Sequence, residues 1–360
     1  MSENNQPTKA QTQPVRRRRG CLLWAGIVAG VIVLLVCVLV GMMWASGARA
    51  KAELAERYPP PGQMVDVGGY RLHINCQGEG SPTVVIEAAG GDSSLSWDQV
   101  RQEVARFTRV CTYDRAGLGW SERSPKSRTP QNVVEELHSL LTNAGIEGPY
   151  VLVGHSIGGL YVRLYAHEYP DEVVGMVLVD ASHEEQNLRF PEAYRQANDE
   201  FLQQVVSACR LPKLLNSIGL LAMSPEDYPD EYLPALPEAT KEVLKGVILS
   251  DTRYFEALGE EWASIEGTMA EVRAMQLTTL EDIPLVVLTR GLSPVPHPYG
   301  LSEEEVQQGE AVWDELQAEL VALSSNGKQV IAEESGHHIH LDQPELVIDA
   351  IRDVVEATGR

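Results

Sequence analysis

The segment that most restricts the fold is YVLVGHSIGGLYVRLYAHEYP, residues 150–170. It begins with a continuous apolar run that leads directly into a glycine-rich turn, which is typical of a buried strand. The residues after the turn are predicted to form a helix, and Pro170 ends that helix. The chain therefore contains a strand, a tight turn and a helix in immediate succession.

A serine stands at the tip of this turn, in a Gly-x-Ser-x-Gly pattern formed by Gly154, Ser156 and Gly158. The backbone at such a tip is strained and larger neighbours would clash, so glycines are needed on both sides. The Ser156 hydroxyl would then stand clear at the carboxyl edge of the sheet, where the next helix N-terminus favours developing negative charge. The pattern predicts a nucleophile. The alternative is a glycine-rich turn that only lets the helix pack closely.

Apolar strands alternate with amphipathic helices through most of the remaining chain. This alternation predicts an α/β fold with a mostly parallel, eight-stranded sheet and helices on both faces. The predicted strand segments are 63–76 (a hairpin around Gly68 and Gly69), 82–91, 109–121, 150–155, 172–183, 283–291 and 329–338, and the helices include 132–145, 302–323 and 344–358. Residues 184–280 break the alternation and are predicted to form a mostly helical cap over the ends of the strands.

The amino-terminal segment has the composition of a membrane-spanning helix. Residues 21–45 are 25 residues without a charge, and about 20 helical residues cross a hydrocarbon core. Trp24 and Trp44 lie near the two ends, where aromatic belts form. Four arginines, Arg16 to Arg19, favour a cytoplasmic amino terminus, which predicts a single-pass protein with its globular domain outside the cytoplasm.

The segments around this span are assigned by composition. Residues 1–20 are predicted to be a disordered, basic cytoplasmic tail, and residues 46–62 a juxtamembrane linker, which leaves residues 63–360 for the globular domain. A cleaved signal peptide is one alternative, with small residues at 48–50 as its cleavage site, although its apolar region would be shorter. A buried core helix is another, but such a helix would not be apolar on all sides beside four arginines.

The charge of the globular part excludes one class of partner. The chain has 29 basic and 51 acidic residues, and residues 1–51 hold seven of the basic residues and one of the acidic ones. The rest of the chain therefore carries 22 basic and 50 acidic residues, a net charge of −28. Such a domain repels phosphate backbones, so we expect no nucleic acid as a partner.

Four stretches, taken in order, resemble the α/β-hydrolase fold family from about residue 63 to residue 357. They are VVIEAAGGDSSLSW, YDRAGLGWS, GHSIGG and SGHHIHLDQPE. In that family these positions hold the oxyanion loop, an Asp-x-x-Gly-x-Gly-x-Ser turn, the nucleophile turn and the region of the catalytic base. Family members with aspartate as the nucleophile are haloalkane dehalogenases or epoxide hydrolases, so a serine implies acyl chemistry instead. The substrate is not implied, because this fold hosts many chemistries.

The resemblance also implies the residues of the active site. Ser156 would be the nucleophile and His337, in the loop after the last strand, its base. The backbone N–H groups of Gly90 and Ile157 would form the oxyanion hole. Many relatives have His-Gly where this chain has two alanines before its glycines, so the loop donor could shift to Ala89 or Gly91.

The third member of the triad departs from the usual position in the family. The loop after the seventh strand has no acidic residue from Gly291 to Ser302. The family's other location is the end of the sixth strand, where this chain has Asp180, which would hold the tautomer of His337. The alternatives are Glu303, an arrangement with water alone, or an Asp180 that only caps the following turn.

His337 is followed by two further histidines, His338 and His340. His338 would point away from His337 in an extended chain, and His340 is expected at the loop surface or along the cleft. His155, beside the nucleophile, is expected at the cleft floor. A metal site would require His337 and His340 to converge with a further ligand, and nothing else in the sequence demands a metal, so no cofactor or metal is expected.

Two cysteines of the globular domain, Cys76 and Cys111, fall on strands that are neighbours in the family's fold. A disulfide between them is therefore possible outside the cytoplasm. The alternative is two buried thiols that pack as small apolar side chains.

Together these residues predict a membrane-anchored serine hydrolase that cleaves carboxylic esters, with a small-molecule acyl substrate and the membrane as its partners. One alternative is an aminopeptidase of the proline-iminopeptidase type, which would need acidic cap residues, such as those in PEDYPDEY at 225–232, to hold a free amino terminus. The other is a non-catalytic, membrane-tethered binding module that kept the fold.

Overall fold

The structure is a computed structural model that describes residues 16–230, 236–293 and 300–359, with side chains from Leu22 onward. Residues 1–15 of the predicted tail lie outside the described residues. The helices are α1 (Arg16–Arg57), α2 (Asp98–Val104), α3 (Pro130–Asn143), α4 (Gly158–Glu168), α5 (Gln186–Arg189), α6 (Glu192–Ala208), α7 (Arg210–Ser217), α8 (Glu238–Ser250), α9 (Arg253–Ala274), α10 (Glu303–Val321), α11 (Ile339–Asp342) and α12 (Pro344–Thr358).

Eight strands form one sheet. They are β1 (Gln63–Asp66), β2 (Arg71–Gln77), β3 (Thr83–Glu87), β4 (Val110–Tyr113), β5 (Tyr150–His155), β6 (Val173–Val179), β7 (Leu285–Arg290) and β8 (Gly327–Ala332). Their order across the sheet is β1-β2-β4-β3-β5-β6-β7-β8. β2 is antiparallel to β1 and β4, and the other neighbours are parallel. The predicted mostly parallel, eight-stranded sheet is therefore confirmed, as is the hairpin between β1 and β2.

The central strands are covered on both faces, because their apolar side chains alternate between two cores. Val85 and Leu152 pack with residues of α3 and α4 in one core. Their sequence neighbours Val84 and Val153 point to the other face and pack with residues of α2 and α12. Burial on both faces explains why these strands are continuous apolar runs in the sequence.

The cap is the group of helices α5 to α9, inserted between β6 and β7. Its longest helix, α9, contacts α4 next to the nucleophile turn and α6 within the cap. This arrangement agrees with a helical insertion over the strand ends and places α6 and α9 next to the loops that carry the predicted site.

Helix α1 extends well beyond the span predicted at 21–45, from Arg16 to Arg57. The predicted linker at 46–62 is therefore helical as far as Arg57, and the predicted tail is helical from Arg16. The segment 46–57 is rich in Ala, Glu, Lys and Arg, which favour helix, and the helix ends just before the prolines that begin at Pro59. Within α1, the segment Leu22–Arg57 is long and apolar enough to cross a membrane, and none of its most apolar window is buried.

The carboxyl-terminal part of α1 is docked on the cap. A Cβ at Gly47 would clash with the backbone of Gly219, the second residue after α7. The two segments can therefore approach this closely only because both residues are glycines. Further along, Leu54 is buried, and the ring of Tyr58 lies against Gly246 of α8. The apolar helix and the cap are therefore in direct contact along several turns.

The structure joins Cys76 and Cys111 by a disulfide. The two residues are directly opposite each other in the antiparallel register of β2 and β4. The possible disulfide raised by the sequence is therefore present in the structure, and it ties the β1–β2 hairpin to the parallel part of the sheet.

Candidate active site

The nucleophile turn joins β5 to α4 and holds Ser156 at a positive φ of 55°. The glycines around it are required by packing. A Cβ at Gly154 would lie 2.5 Å from the Val162 side chain, and a Cβ at Gly158 would lie 2.5 Å from the Glu87 carbonyl oxygen. The strained serine and its small neighbours therefore have the arrangement that the Gly-x-Ser-x-Gly pattern predicted.

Asp180 follows the last residue of β6 and contacts His337. The His337 Nδ1–H donates to Asp180 Oδ2 at 2.6 Å. Arg290 Nη1 donates to the same oxygen at 2.9 Å, and the indole N–H of Trp313 donates to Oδ1 at 3.0 Å. Asp180 is fully buried, which raises the pKa of its carboxyl group, but Arg290 and His337 outweigh the burial and hold that pKa at about 2. The carboxylate is therefore ionised at neutral pH.

Ser156 and His337 line one cavity of about 420 Å³ beneath the cap. Because Nδ1 of His337 is bonded to Asp180, Nε2 is the ring nitrogen that remains for exchange of a proton in the cavity. The structure thus brings the three residues predicted from the sequence to one edge of the sheet, with Asp180 behind the histidine and Ser156 in the cavity.

The two predicted oxyanion donors also lie in this cavity. A Cβ at Gly90 would be 3.7 Å from the Ile157 side chain, so the loop after β3 and the start of α4 are in contact. The backbone N–H of Gly91 donates to Glu261 at 2.5 Å. Gly91 is therefore already engaged, and its N–H is less available than that of Gly90 for a developing oxyanion.

A buried ion network that the sequence did not reveal holds the loop after β3, residues 88–91 (the oxyanion loop), which carries the predicted oxyanion donor. Arg115 donates to Glu87 at 2.5 Å, to the carbonyl oxygens of Ala88 and Ala89 at 2.7 and 2.5 Å, and to Glu261 at 2.8 Å. Arg128 adds a contact of 3.1 Å to Glu261. Arg115 lies in the motif YDRAGLGWS, but its partner Glu261 is 146 residues away on α9, so no local pattern could have indicated the pair.

The other three histidines differ from the sequence prediction: His340 is neither at the loop surface nor along the cavity, His338 does not point away, and His155 does not line the cavity. His340 is buried rather than at the loop surface, and its ring stacks on Trp97 with centroids 4.3 Å apart. His338 lines the cavity instead of pointing away, because the chain here turns into α11 and is not extended. His155 is fully buried, and its Nε2–H donates to the His337 carbonyl oxygen at 2.8 Å. Among the described residues, His337 is not grouped with His340; instead, one ring nitrogen each from His155, His338 and His340 lies within 4.8 Å of the other two.

The walls of the cavity are mainly apolar and aromatic. They come from the cap and from α10, and comprise Phe190, Tyr194, Phe201, Leu202, Trp262, Ile265, Met269 and Trp313. The polar groups are amides, hydroxyls, histidines and Arg290, and the described residues that line the cavity include no Asp or Glu. The site therefore fits an uncharged or acidic substrate with an apolar part better than a cationic one.

The acidic residues considered as alternatives lie elsewhere. Glu303 is exposed in the first turn of α10. A capping box between Ser302 and Glu305 stabilises the start of this helix. Glu226 and Asp230, from the acidic stretch of the cap, lie beside Tyr58 at the end of α1, and residues 231 and 232 of that stretch lie outside the described residues. Among the described residues, His337 forms its hydrogen bond with Asp180 and not with Glu303, Glu226 or Asp230.

The fold and the arrangement of this edge define a class of protein. The chain belongs to the alpha/beta hydrolase family, whose family model matches residues 84–350. It is 28% identical over 322 residues to "Probable transporter efuK" of Hormonema carpetanum, across 81% of this chain and 42% of that protein, so it spans less than half of that relative.

The chain is also similar to a curated bacterial protein and to a solved structure. The chain is 27% identical to "Uncharacterized protein YqjL" of Bacillus subtilis (strain 168), over 77% of this chain and 85% of that protein. A thermophilic esterase from Thermogutta terrifontis superposes with a TM-score of 0.53 at 20% identity, over 82% of this chain and 97% of the esterase. At this identity the superposition shows the fold alone.

The ion network around Glu261 yields a stability prediction. Glu261→Gln removes the charge that pairs with buried Arg115 and Arg128, so we expect the free energy of unfolding to fall by about 3 kcal/mol. The preceding residue provides a matched control, because Glu260 is 52% exposed and pairs with Arg123 at the surface. Glu260→Gln should cost less than about 1 kcal/mol. Guanidinium unfolding of the full chain in detergent measures both, and equal losses would contradict the prediction.

Proposed function

We propose that this protein is a serine hydrolase that cleaves carboxylic esters through an acyl-enzyme intermediate. The observation that carries the proposal is the 2.6 Å hydrogen bond from His337 to the buried, ionised Asp180. His337 also lines the cavity that holds the strained Ser156. Nucleophile, base and carboxylate in this arrangement are the requirements of a Ser-His-Asp triad.

The reaction follows from the roles of the three groups. The Ser156 oxygen attacks the ester carbonyl carbon while its proton moves to Nε2 of His337, and the carbonyl oxygen becomes an oxyanion that accepts hydrogen bonds from the N–H groups of Gly90 and Ile157. The C–O bond to the alcohol then breaks, and the alcohol leaves with the proton from His337. Water, deprotonated by His337, attacks the acyl-serine; the bond between the acyl carbon and the Ser156 oxygen then breaks, His337 returns the proton to that oxygen, and the acid is released. Asp180 stabilises the imidazolium in both halves of the reaction.

The cavity supports an ester over the aminopeptidase alternative. A free amino terminus needs a carboxylate near the nucleophile, and the described residues around the cavity contribute none. Arg290, which lines the cavity, is itself paired with Asp180 and Glu310, so those two carboxylates are already engaged. The aromatic wall formed by Phe190, Tyr194 and Trp313 suits an apolar acyl or alcohol group.

The proposal includes a single membrane span with the globular domain outside the cytoplasm. Its support is the exposed apolar surface of α1 from Leu22 to Trp44 and the arginines before it. The pairing of Cys76 with Cys111 adds support, because disulfides persist in oxidising compartments.

Activity measurements with single variants test the triad. Asp180→Asn should lower kcat for nitrophenyl acetate by about ten-thousand-fold, because the His337 tautomer and imidazolium lose their carboxylate. A fluorophosphonate probe should label the wild-type protein and leave Ser156→Ala unlabelled. Proline naphthylamide should be a poor substrate of the wild-type protein.

The matched control for the acid is Glu303→Gln, which should remain within about two-fold of wild type. Melting curves of each variant establish that it is folded. An inactive Glu303→Gln beside an active Asp180→Asn would contradict the assignment of the acid, and absence of fluorophosphonate labelling in folded wild-type protein would favour the binding-module alternative.

Protease added to intact cells or spheroplasts tests the orientation. The domain from Gln63 onward should be digested, because it lies outside the cytoplasm. In the same preparation, unreduced peptides analysed by mass spectrometry should contain the Cys76–Cys111 link. Full protection of the domain together with free thiols at both cysteines would place it on the cytoplasmic side.

A further inference from the structure

Three histidines meet directly behind the catalytic cavity. One ring nitrogen each from His155, His338 and His340 lies within 4.8 Å of the other two. They reach this point from separate elements, since His155 ends β5, His338 precedes α11 and His340 lies within α11. His338 is exposed at the cavity, whereas the other two are buried.

The buried members have ring nitrogens without a protein partner. His155 uses Nε2–H to bond the His337 carbonyl oxygen, so its lone pair is on Nδ1, and Nδ1 has no hydrogen-bond partner. Neither nitrogen of His340 has one either, and the closest carboxylate oxygen, on Asp92, is 4.0 Å from Nε2. A buried polar atom without a partner is unfavourable, so these nitrogens are free to bind a group that is not part of the chain. Burial and the neighbouring histidines also lower the pKa of both rings well below the usual value, which favours the neutral imidazole that binds metals.

We propose that His155, His338 and His340 bind one divalent transition-metal ion of the kind that prefers imidazole, such as Zn²⁺. Three imidazole nitrogens and one water complete a tetrahedral site, with each nitrogen about 2.0–2.1 Å from the ion. The nitrogens must approach one another to reach that geometry, and the exposed side chain of His338 can turn to close the site. His340 is held in place by its stacking on Trp97.

The bound ion would act as an inhibitor rather than a cofactor. The ring centroids of His155 and His337 are 4.8 Å apart, so the ion would place two positive charges close to the catalytic base. His338 would also be drawn from the cavity wall to the metal. The inhibition rests on the proposed function, but the binding of the ion does not.

Calorimetric titration of full-length protein in detergent with Zn²⁺ tests the site. We use the Ser156→Ala background, so that binding is measured independently of catalysis. One ion should bind per chain, and Co²⁺ in its place should give the visible absorption of a four-coordinate site. His338→Gln should weaken binding at least about ten-fold, because it removes one of three ligands. His167→Gln, at an exposed position on α4, should leave binding unchanged.

The outcomes separate the site from the proposed function. One-to-one binding that is lost in His338→Gln and kept in His167→Gln supports the metal site, and it does so even if the wild-type protein hydrolyses no ester. Absence of binding in the folded Ser156→Ala protein, or equal binding by both histidine variants, overturns it. If the wild type is an active esterase, Zn²⁺ should inhibit it reversibly, with the inhibition removed by chelator and weakened in His338→Gln; an esterase whose activity is insensitive to bound Zn²⁺ overturns the inhibitory role.

A second surface, on the cap, carries an independent inference. Helix α7 exposes Leu211 and Leu214, which are 61% and 62% accessible, and the turn after it exposes Leu220 and Met223. Large apolar side chains this exposed and this close together mark a surface that contacts an apolar phase. The helix also carries Arg210 and Lys213, as expected of a short amphipathic helix at a lipid surface.

Contacts with α1 place this surface at one end of the apolar span. Gly219, between α7 and the exposed Leu220, lies against Gly47, two residues after the predicted span ends at Ala45. The exposed side chains of α7 are therefore next to the point where α1 would leave the hydrocarbon core. Helix α6, which precedes α7, contributes Phe201 and Leu202 to the catalytic cavity.

We infer that the apolar face of α7 and its following turn, residues 210–223, lies in the interface of the bilayer that α1 spans. This inference rests on the proposed membrane span. It also predicts that the substrate is an amphiphilic ester that partitions into lipid. The reason is that α7 would hold the cap, and the cavity beneath it, at the bilayer surface.

A fluorophore with polarity-dependent emission tests the position of α7. It is attached at Leu214→Cys in a Cys21→Ser, Cys37→Ser, Cys209→Ser background, in full-length protein reconstituted into phosphatidylcholine and phosphatidylglycerol vesicles. The emission should shift to the blue and be quenched by brominated lipid. The matched control is Leu188→Cys, an equally exposed leucine on α5. In the unlabelled protein, Leu211→Asn with Leu214→Asn should lower hydrolysis of a vesicle-bound ester about ten-fold and leave that of nitrophenyl acetate unchanged.

The results of the fluorescence experiment distinguish the α7 surface from the membrane span. Lipid quenching at 214 and not at 188 supports the surface, whether or not the protein hydrolyses any ester. A fluorophore at 214 that stays in water, in protein that is integrated through α1, overturns it. Protein that cannot be integrated into vesicles at all contradicts the membrane span of the proposed function instead.

Discussion

The geometry of the site depends on one buried cation, the guanidinium of Arg115. It is 3% exposed and is surrounded by Glu87 from the sheet, Glu261 from the cap and two carbonyl oxygens of the oxyanion loop. A charge in such a place is stable only when its hydrogen-bonding capacity is satisfied. The loop can therefore hold its conformation only while α9 is docked, because Glu261 binds both Arg115 and the Gly91 N–H. Cap and oxyanion loop form one structural unit.

The other side of the site is held by strained backbone at two adjacent strand ends. Ser156 and Asp180 have positive φ values of 55° and 41°. Such conformations persist only when neighbouring contacts determine them. Here the Ser156 N–H donates to the Val179 carbonyl oxygen at 3.2 Å, and the Asp180 N–H donates to the Leu288 carbonyl oxygen at 2.7 Å. Strands β5, β6 and β7 thus position the serine and the aspartate relative to each other through backbone bonds that do not depend on side-chain identity.

The parts of the fold and of the site that could be predicted are those with a local signal in the sequence. Ser156, Asp180 and His337 each follow a recognisable strand, and parallel strands bring their carboxyl ends to one edge, so the sequence predicted their proximity. The pair of Arg115 and Glu261 could not be predicted, because ionic partners 146 residues apart leave no periodicity. The burial of His340 depends on the turn into α11 and on Trp97, neither of which the run of histidines indicates.

The full length of α1 could not be predicted from composition, for a different reason. The change from apolar to polar composition at residue 46 indicates where a span ends, but a helix ends only where backbone geometry or capping stops it. Nothing in 46–57 does so, and the prolines from Pro59 do.

The charge of Asp180 links the proposed triad to the cavity that His337 lines. The carboxylate accepts hydrogen bonds from His337, Arg290 and Trp313, and the last two also line the cavity. Because the folded protein holds the pKa of Asp180 at about 2, below the value of a free side chain, its contribution to stability is present above the unfolded pKa near 4 and is lost as the pH falls toward 2. At neutral pH the proton between Asp180 and His337 therefore stays on the imidazole. Arg290 and Trp313 contact both this carboxylate and the cavity, so the orientation of His337 and the shape of the aromatic wall are set by the same group.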